Sequence, residues 1–210
     1  MARLPLDSRA LGLPDLAPGT YRFALPPLLF ALPALLVSPP VALLFALAGW
    51  AVVAFFRDPD RSPPASGVVA PADGRVSVVR EEADRVRVGV FMNVTDVHVN
   101  RAPLPGTVTA VEHRSGGHLP AFTKESERNE RVRVETDACE VTLIAGAVAR
   151  RITPYVAPGD DLDRGERIGH VAFGSRADVL LPPAVDVEDL LVAEGDRVRA
   201  GETRLTAAAG

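Results

Sequence analysis

Hydrophobic and polar positions divide the chain into two textures. From Phe23 to Phe56 no residue is charged, and Ser38 is the one strongly polar side chain in a run of Leu, Ala, Val, Phe and Pro. A continuous helix of that length, rising about 1.5 Å per residue, would far exceed a hydrocarbon core about 30 Å thick. Pro39 and Pro40 remove hydrogen-bond donors near its midpoint, so the pattern predicts a membrane anchor of two short helical pieces bent at Ser38-Pro39-Pro40. Each piece is shorter than the roughly 20 residues of a full span, which leaves a re-entrant hairpin and a double crossing both open. Arg3, Arg9 and Arg22 precede the run and Arg57 and Arg61 follow it, a bias that puts both flanks on the cytoplasmic face of a cell membrane. The run is too long and begins too late for a cleaved signal peptide.

From Gly67 onward the texture changes to short alternating runs of Val and polar residues, broken by Gly, Pro and Asp. In 84–93, Val86, Val88, Val90 and Met92 share one face of a period-two pattern while Arg85, Arg87 and Gly89 share the other, which predicts a half-buried strand. Further strands are predicted at 74–79, 106–111, 131–135, 140–148 and 177–181, with a polar helix or loop at 122–129. Two turn pairs echo each other: Ala157-Pro158-Gly159-Asp160 leads to Gly165-Glu166, and Ala193-Glu194-Gly195-Asp196 leads to Gly201-Glu202. The domain reading is an N-terminal segment 1–22, the anchor 23–56 and a β-rich domain 57–210.

Composition narrows the function. The net charge of −4 comes with no basic run, which sets nucleic-acid binding aside. Cys139 is the single cysteine, so neither an intramolecular disulfide nor a Cys-rich metal site can form, as suits a cytosolic domain. Lys124 is the sole lysine, so amine chemistry here calls for a carbonyl other than lysine-bound pyridoxal.

Three strings carry candidate chemistry. The first is Phe55-Phe56-Arg57-Asp58-Pro59-Asp60-Arg61, followed by Val69-Ala70-Pro71-Ala72-Asp73-Gly74-Arg75-Val76. Alone, Asp73-Gly74 is a turn signal, and the two arginines are equally well simple flanking charge or contacts to lipid phosphate. The second is Asp96-Val97-His98-Val99-Asn100-Arg101-Ala102-Pro103; an imidazole such as His98 can take a hydroxyl proton near neutral pH. The third is Phe173-Gly174-Ser175-Arg176-Ala177-Asp178-Val179. His113, His118 and His170 have no comparable context and read as surface or loop residues.

In order and spacing the strings resemble the phosphatidylserine decarboxylase family, in its shorter Gly-Ser-Arg branch. The resemblance spans nearly all of 55–182. It implies a lipoyl-like barrel-sandwich catalytic domain behind the anchor, in which paired Gly-Asp turns close hairpins. It also implies a self-cleaving zymogen: Asp73 supports cleavage, His98 acts as base, and Ser175 Oγ attacks the carbonyl of Gly174. The missing Cβ of Gly174 permits that close approach. An acyl shift to oxygen, loss of the Ser175 α-proton and hydrolysis would leave fragments 1–174 and 175–210, the second beginning with a pyruvoyl group. Its ketone would capture the serine amine of the lipid and act as electron sink as CO2 departs, with His98 protonating the resulting carbanion. Arg57, Arg101 and Arg176 are the candidate substrate-binding cations. Arg101 stands where longer members carry a second histidine. The substrate implied is phosphatidylserine in a membrane, or an archaetidyl lipid with the same headgroup, and exposed sheet edges would allow a homo-oligomer.

Two other readings compete. A membrane-tethered lipoyl-like binding or adaptor module would share the anchor and β texture, although no lysine sits in a hairpin turn for lipoyl attachment. A metallopeptidase using His98 with His113 or His118 has only Asp96-x-His98 in ligand-like proximity.

Overall fold

The structure is a computed structural model that describes residues 15–117, 128–146, 151–172 and 175–207. The chain divides into two compact units, 1–60 and 61–210, so the boundary falls after Asp60 rather than before Arg57. Arg57 and Asp58 stay with the first unit because Leu16 bridges Arg57 and the Asp58 N–H donates to Asp15 O at 2.7 Å.

The first unit is a helical hairpin. Helix α1 (Tyr21–Val37) and helix α2 (Pro39–Phe55) meet at Ser38, whose extended backbone (φ −158°) breaks the helix where the proline pair was expected to bend it. Prolines at the first turn of α2 cost nothing, because those N–H groups have no intrahelical acceptor. The helices run antiparallel: Phe23 stacks on Phe56 and Phe30 faces Phe45 across the pair. A Cβ on Gly49 would overlap the Leu28 side chain, so the glycine lets the helices close up. Most outward side chains are large and apolar, and at the tip Leu36 and Val37 are 91% and 88% exposed. Each helix has 17 residues, and among the described residues no helix is long and apolar enough to cross a membrane.

The second unit is mainly β. Its strands are β1 (Gly74–Glu82), β2 (Arg85–Met92), β3 (Val99–Arg101), β4 (Gly106–Arg114), β5 (Arg131–Thr136), β6 (Glu140–Ala145), β7 (Ile152–Pro154), β8 (Asp161–Leu162), β9 (Arg167–Val171), β10 (Ser175–Leu180) and β11 (Arg197–Val198), with a 3-10 turn at Val187–Asp189. An eight-stranded sheet runs β11-β1-β2-β10-β6-β5-β4-β8, and a three-stranded sheet runs β3-β9-β7. The expected faces hold: Val86, Val88, Val90 and Met92 are all buried in the core with Val132, Val134, Leu143, Ala177 and Val179. Burying each such valine is worth roughly 1.5–3 kcal/mol. The expected segment 140–148 ends as a strand at Ala145, with 147–148 outside the described residues, as is most of 122–129.

The echoed turns explain how the large sheet curls. In each, the Asp side chain accepts the N–H of the alanine three residues earlier (Asp160 from Ala157, Asp196 from Ala193, both 2.8 Å), around a glycine at φ +94°. The Gly159 N–H donates to Val108 O in β4, and the Gly195 N–H to Val76 O in β1, again both 2.8 Å. The turns thus deliver β8 and β11 to opposite margins of one sheet. The glycines that follow, Gly165 and Gly201, lie against each other; a Cβ on Gly201 would come within 3.3 Å of Gly165 Cα. The two margins are therefore drawn together. The segments they embrace are also alike, Ala70-Pro71-x-x-Gly74-x-Val76 and Ala102-Pro103-x-x-Gly106-x-Val108, but the first has Asp73 where the second has Pro105.

Candidate active site

Ser175 opens β10, the fourth strand of the large sheet, where Met92 of β2 flanks it on one side and Ala145 of β6 on the other. Its side chain is fully buried, and Oγ donates to the Met92 thioether at 3.7 Å. Gly174, the other half of the expected cleavage site, lies outside the described residues. Asn129 Nδ2 donates to Ala145 O at 2.8 Å and so fixes the end of β6 beside Ser175.

Backbone pairing brings the strings together. Residues 69–71 run antiparallel to 101–103, with the Val69 N–H on Pro103 O (3.0 Å) and the Arg101 N–H on Pro71 O (2.9 Å). The string carrying His98 then pairs on its other side with β9, where the Val171 N–H reaches His98 O at 3.3 Å. Val171 is four residues from Ser175. The aspartate string thus borders the histidine string, which borders the strand leading to the serine.

His98 is buried, and its Nδ1 lies 2.9 Å from Asp96 O. A carbonyl only accepts, so in the neutral ring Nδ1 carries the hydrogen and Nε2 the lone pair. That tautomer can receive a proton. Asp96 is itself fixed by the Asn93 N–H and by Arg197, so it serves the turn before His98.

Asp73 is held by a residue that the sequence reading assigned elsewhere. Arg61 Nη2 donates to both carboxylate oxygens at 2.9 and 2.8 Å, and the Ala200 N–H donates to Oδ1 at 2.8 Å. Arg61 also reaches Glu202 at 3.3 Å. Its guanidinium is nearly buried against these carboxylates and is not presented to lipid phosphate. Asp73 and His98 do not hydrogen-bond directly, so no relay of that form is assembled.

The three candidate substrate cations go to different places. Arg57 Nη1 donates to Ala54 O at 2.7 Å and caps the end of α2. Arg101 is buried, with Nη1 on Gly165 O at 2.9 Å, where it braces the meeting of the two turns. Arg176 lies on the face of β10 opposite Ser175, in a two-point ion pair with Asp178 at 2.7 and 2.9 Å. Burial raises the Asp178 carboxyl above its usual range, with Arg176 and Arg87 pulling the other way. An open furrow of about 210 Å³ on that outer face, lined by Arg80, Arg87, Arg133, Glu82, Glu140 and Asp178 among others, is thus separated from Ser175 by the sheet.

The remaining histidines differ from one another. His113 is exposed and meets Glu130 at 2.8 Å, and His118 lies outside the described residues. His170, expected on the surface, is buried because β9 is the central strand of the small sheet; Tyr155 sits 2.8 Å from its Nδ1, and burial lowers its pKa. Among the described residues no group of three His, Cys, Asp or Glu side chains could hold a metal ion. The sequence reading missed Arg61 as the partner of Asp73, and it missed Asn100, Met92 and Asn129 around Ser175. Of these only Asn100 had a usable signal, since the two-residue strand repeat puts it on the same face as His98.

A model of the phosphatidylserine decarboxylase family matches residues 49–206. The putative archaetidylserine decarboxylase proenzyme of Halobacterium salinarum is 59% identical over 189 residues, covering 90% of this chain and 96% of that relative. The phosphatidylserine decarboxylase proenzyme of Thermobifida fusca is 52% identical over 174 residues, covering 80% and 77%. The putative archaetidylserine decarboxylase proenzyme of Methanopyrus kandleri is 42% identical over 207 residues, covering 90% and 96%. Since the match takes in all three strings and nearly the whole β unit, this chain belongs to the phosphatidylserine decarboxylase family.

Proposed function

We propose that this chain is a zymogen that cuts itself between Gly174 and Ser175 and then decarboxylates the serine headgroup of a glycerophospholipid, giving the ethanolamine lipid in phospholipid biosynthesis. The observation that carries the reading is the side-by-side pairing of the Asp73, His98 and pre-Ser175 segments. Ser175 Oγ is the nucleophile and the Nε2 lone pair of His98 the proton acceptor. Asp73, kept in place by Arg61 and Ala200, supplies fixed negative charge beside the histidine string. Full burial of Ser175 suits an attack on the adjoining peptide bond, which needs no substrate channel and gains from the absence of competing water.

The surroundings also fit a pyruvoyl group made from Ser175. The residues flanking it, Met92 and Ala145, carry no charge, and Ser175 has no exposed surface. Such a group supplies a carbonyl that binds the headgroup amine and draws off electrons as CO2 leaves. Fragments 1–174 and 175–210 remain together through the pairing of β10 with β2 and β6. Intact-mass measurement of the purified chain beside Ser175→Ala tests the reading: two fragments from the parent and an uncut 22.2 kDa chain from the variant are expected. An active parent of full length would refute it.

The unit from Arg61 onward is a lipoyl-like barrel sandwich in this reading, supported by the duplicated Gly-Asp turns. The helical hairpin is a membrane anchor that enters the bilayer without crossing it and leaves the β unit on the cytoplasmic face. Its outward apolar side chains, its highly exposed tip and its short helices support that topology. Arg57, Arg101 and Arg176 act on the substrate only indirectly, through the elements they brace.

A further inference from the structure

Asn100 has no exposed surface, yet among the described residues its Oδ1 has no hydrogen-bond partner and its Nδ2 bonds only to the Met92 sulfur, at 3.6 Å. That same sulfur is the acceptor for Ser175 Oγ. One thioether thus stands between two fully buried polar side chains, each otherwise capable of stronger bonds. Leaving a buried amide oxygen unsatisfied costs about 1–3 kcal/mol, and native folds rarely keep such a group without a use for it. A carboxamide of ordinary structural purpose here would be replaced at a gain by an apolar residue of similar shape, since the side chain its Nδ2 meets, Met92, is apolar.

Resting on the function proposed above, we infer that Asn100 is a substrate-binding residue whose Oδ1 receives an N–H of the serine amine as that amine comes to residue 175. Methionine is the side chain best suited to fill this place beforehand, because three rotatable bonds let its sulfur swing aside. The acceptor type decides the partner. An amide oxygen cannot bind the headgroup carboxylate or phosphate, whereas the amine is the group that must approach residue 175 most closely. His98 lies two residues before Asn100, and its carbonyl continues the pairing with β9, so the two-residue repeat of extended chain presents the amine so held to the imidazole side.

The test separates amine capture from turnover. The purified protein is incubated with phosphatidylserine vesicles and cyanoborohydride, and the mass gained by the 175–210 fragment is read as lipid amine covalently fixed to it. Asn100→Ala is expected to fix at least tenfold less lipid amine per 175–210 fragment than the parent at limiting vesicle concentration. Cleavage with parental capture overturns the inference. Asn100→Asp keeps the shape and covers the case in which the alanine variant does not mature. A carboxylate facing the amine favours the ammonium form, which cannot attack, so the pH profile of capture is expected to move up by about one unit. An unmoved profile overturns the inference as well. If the parent yields neither fragments nor capture, the proposed function itself fails, an outcome distinct from either.

Discussion

Arg61 and Asp73 form a forked ion pair in which one guanidinium nitrogen serves both carboxylate oxygens, at 2.9 and 2.8 Å. The arginine comes from the string next to the apolar hairpin and the aspartate from the Pro-Ala-Asp-Gly string. The pair therefore ties the start of the β unit to the segment that borders His98. Removing one partner of a nearly buried pair leaves the other charge uncompensated.

Arg61→Ala is expected to lower stability by about 2 kcal/mol and to slow self-cleavage severalfold, followed by urea titration and by a timed gel. Glu202→Gln, which removes the charge facing Arg61 at 3.3 Å and Arg199 at 3.9 Å but leaves the Arg61 fork on Asp73 intact, is expected to leave the cleavage rate near the parent's. Equal effects of the two variants would remove the special standing of Asp73.

Two glycines with positive φ should respond very differently to alanine. A Cβ on Gly74 (φ +142°) would sit 2.1 Å from the Phe91 carbonyl oxygen, where β1 meets β2, while Gly195 (φ +94°) has nothing within 4 Å. Gly74→Ala is expected to cost more than about 3 kcal/mol or to block folding, and Gly195→Ala about 1–2 kcal/mol. Thermal unfolding of both decides, and similar losses would show that the close approach of β1 to β2 is not the constraint.

Stability should carry an acid-side slope from His170. Burial holds its imidazole below the usual range, so the fold favours the neutral ring. Its contribution is complete above the unfolded value near pH 6.5 and drains away as pH falls through the lowered folded value. Urea midpoints at pH 7.5 and pH 5.0 should fall further in the parent than in His170→Gln. A parallel decline would assign the slope to other groups.

Cys139 should be chemically silent in the folded chain. Burial pushes its thiol up to about 11, which leaves roughly one molecule in a thousand as thiolate at pH 8. Labelling with iodoacetamide at pH 8 is expected to be negligible until denaturant exposes the residue. Rapid labelling without denaturant would mean that the turn between β5 and β6 opens readily.

The sequence displayed what is local. Alternation over eight residues marked β2 and its buried face, and a proline pair marked the break between α1 and α2, because both signals act within one turn or one strand. Strands β3, β7, β8 and β11 are two or three residues long and carry no period to detect. Of the site, the three strings were legible, but their adjacency was not, since it depends on pairings such as Val171 with His98. The Arg61 to Asp73 bond was equally hidden: a cation beside an apolar run gives no sign of which carboxylate it will find. The echoed turns could be seen as repeats, while their effect on the sheet depends on Gly165 touching Gly201.

Where β10 sits governs what a cut before it can do. A backbone severed beside a marginal strand would leave a loose flap, free to peel away. Here the new chain end would emerge midway across the weave, gripped from left and right by β2 and β6, with β11 stitching the far end of the same piece to β1. Dissociation would demand ripping out a middle thread, so the severed halves should endure as one particle and the reactive end should inherit the rigidity of the surrounding fabric.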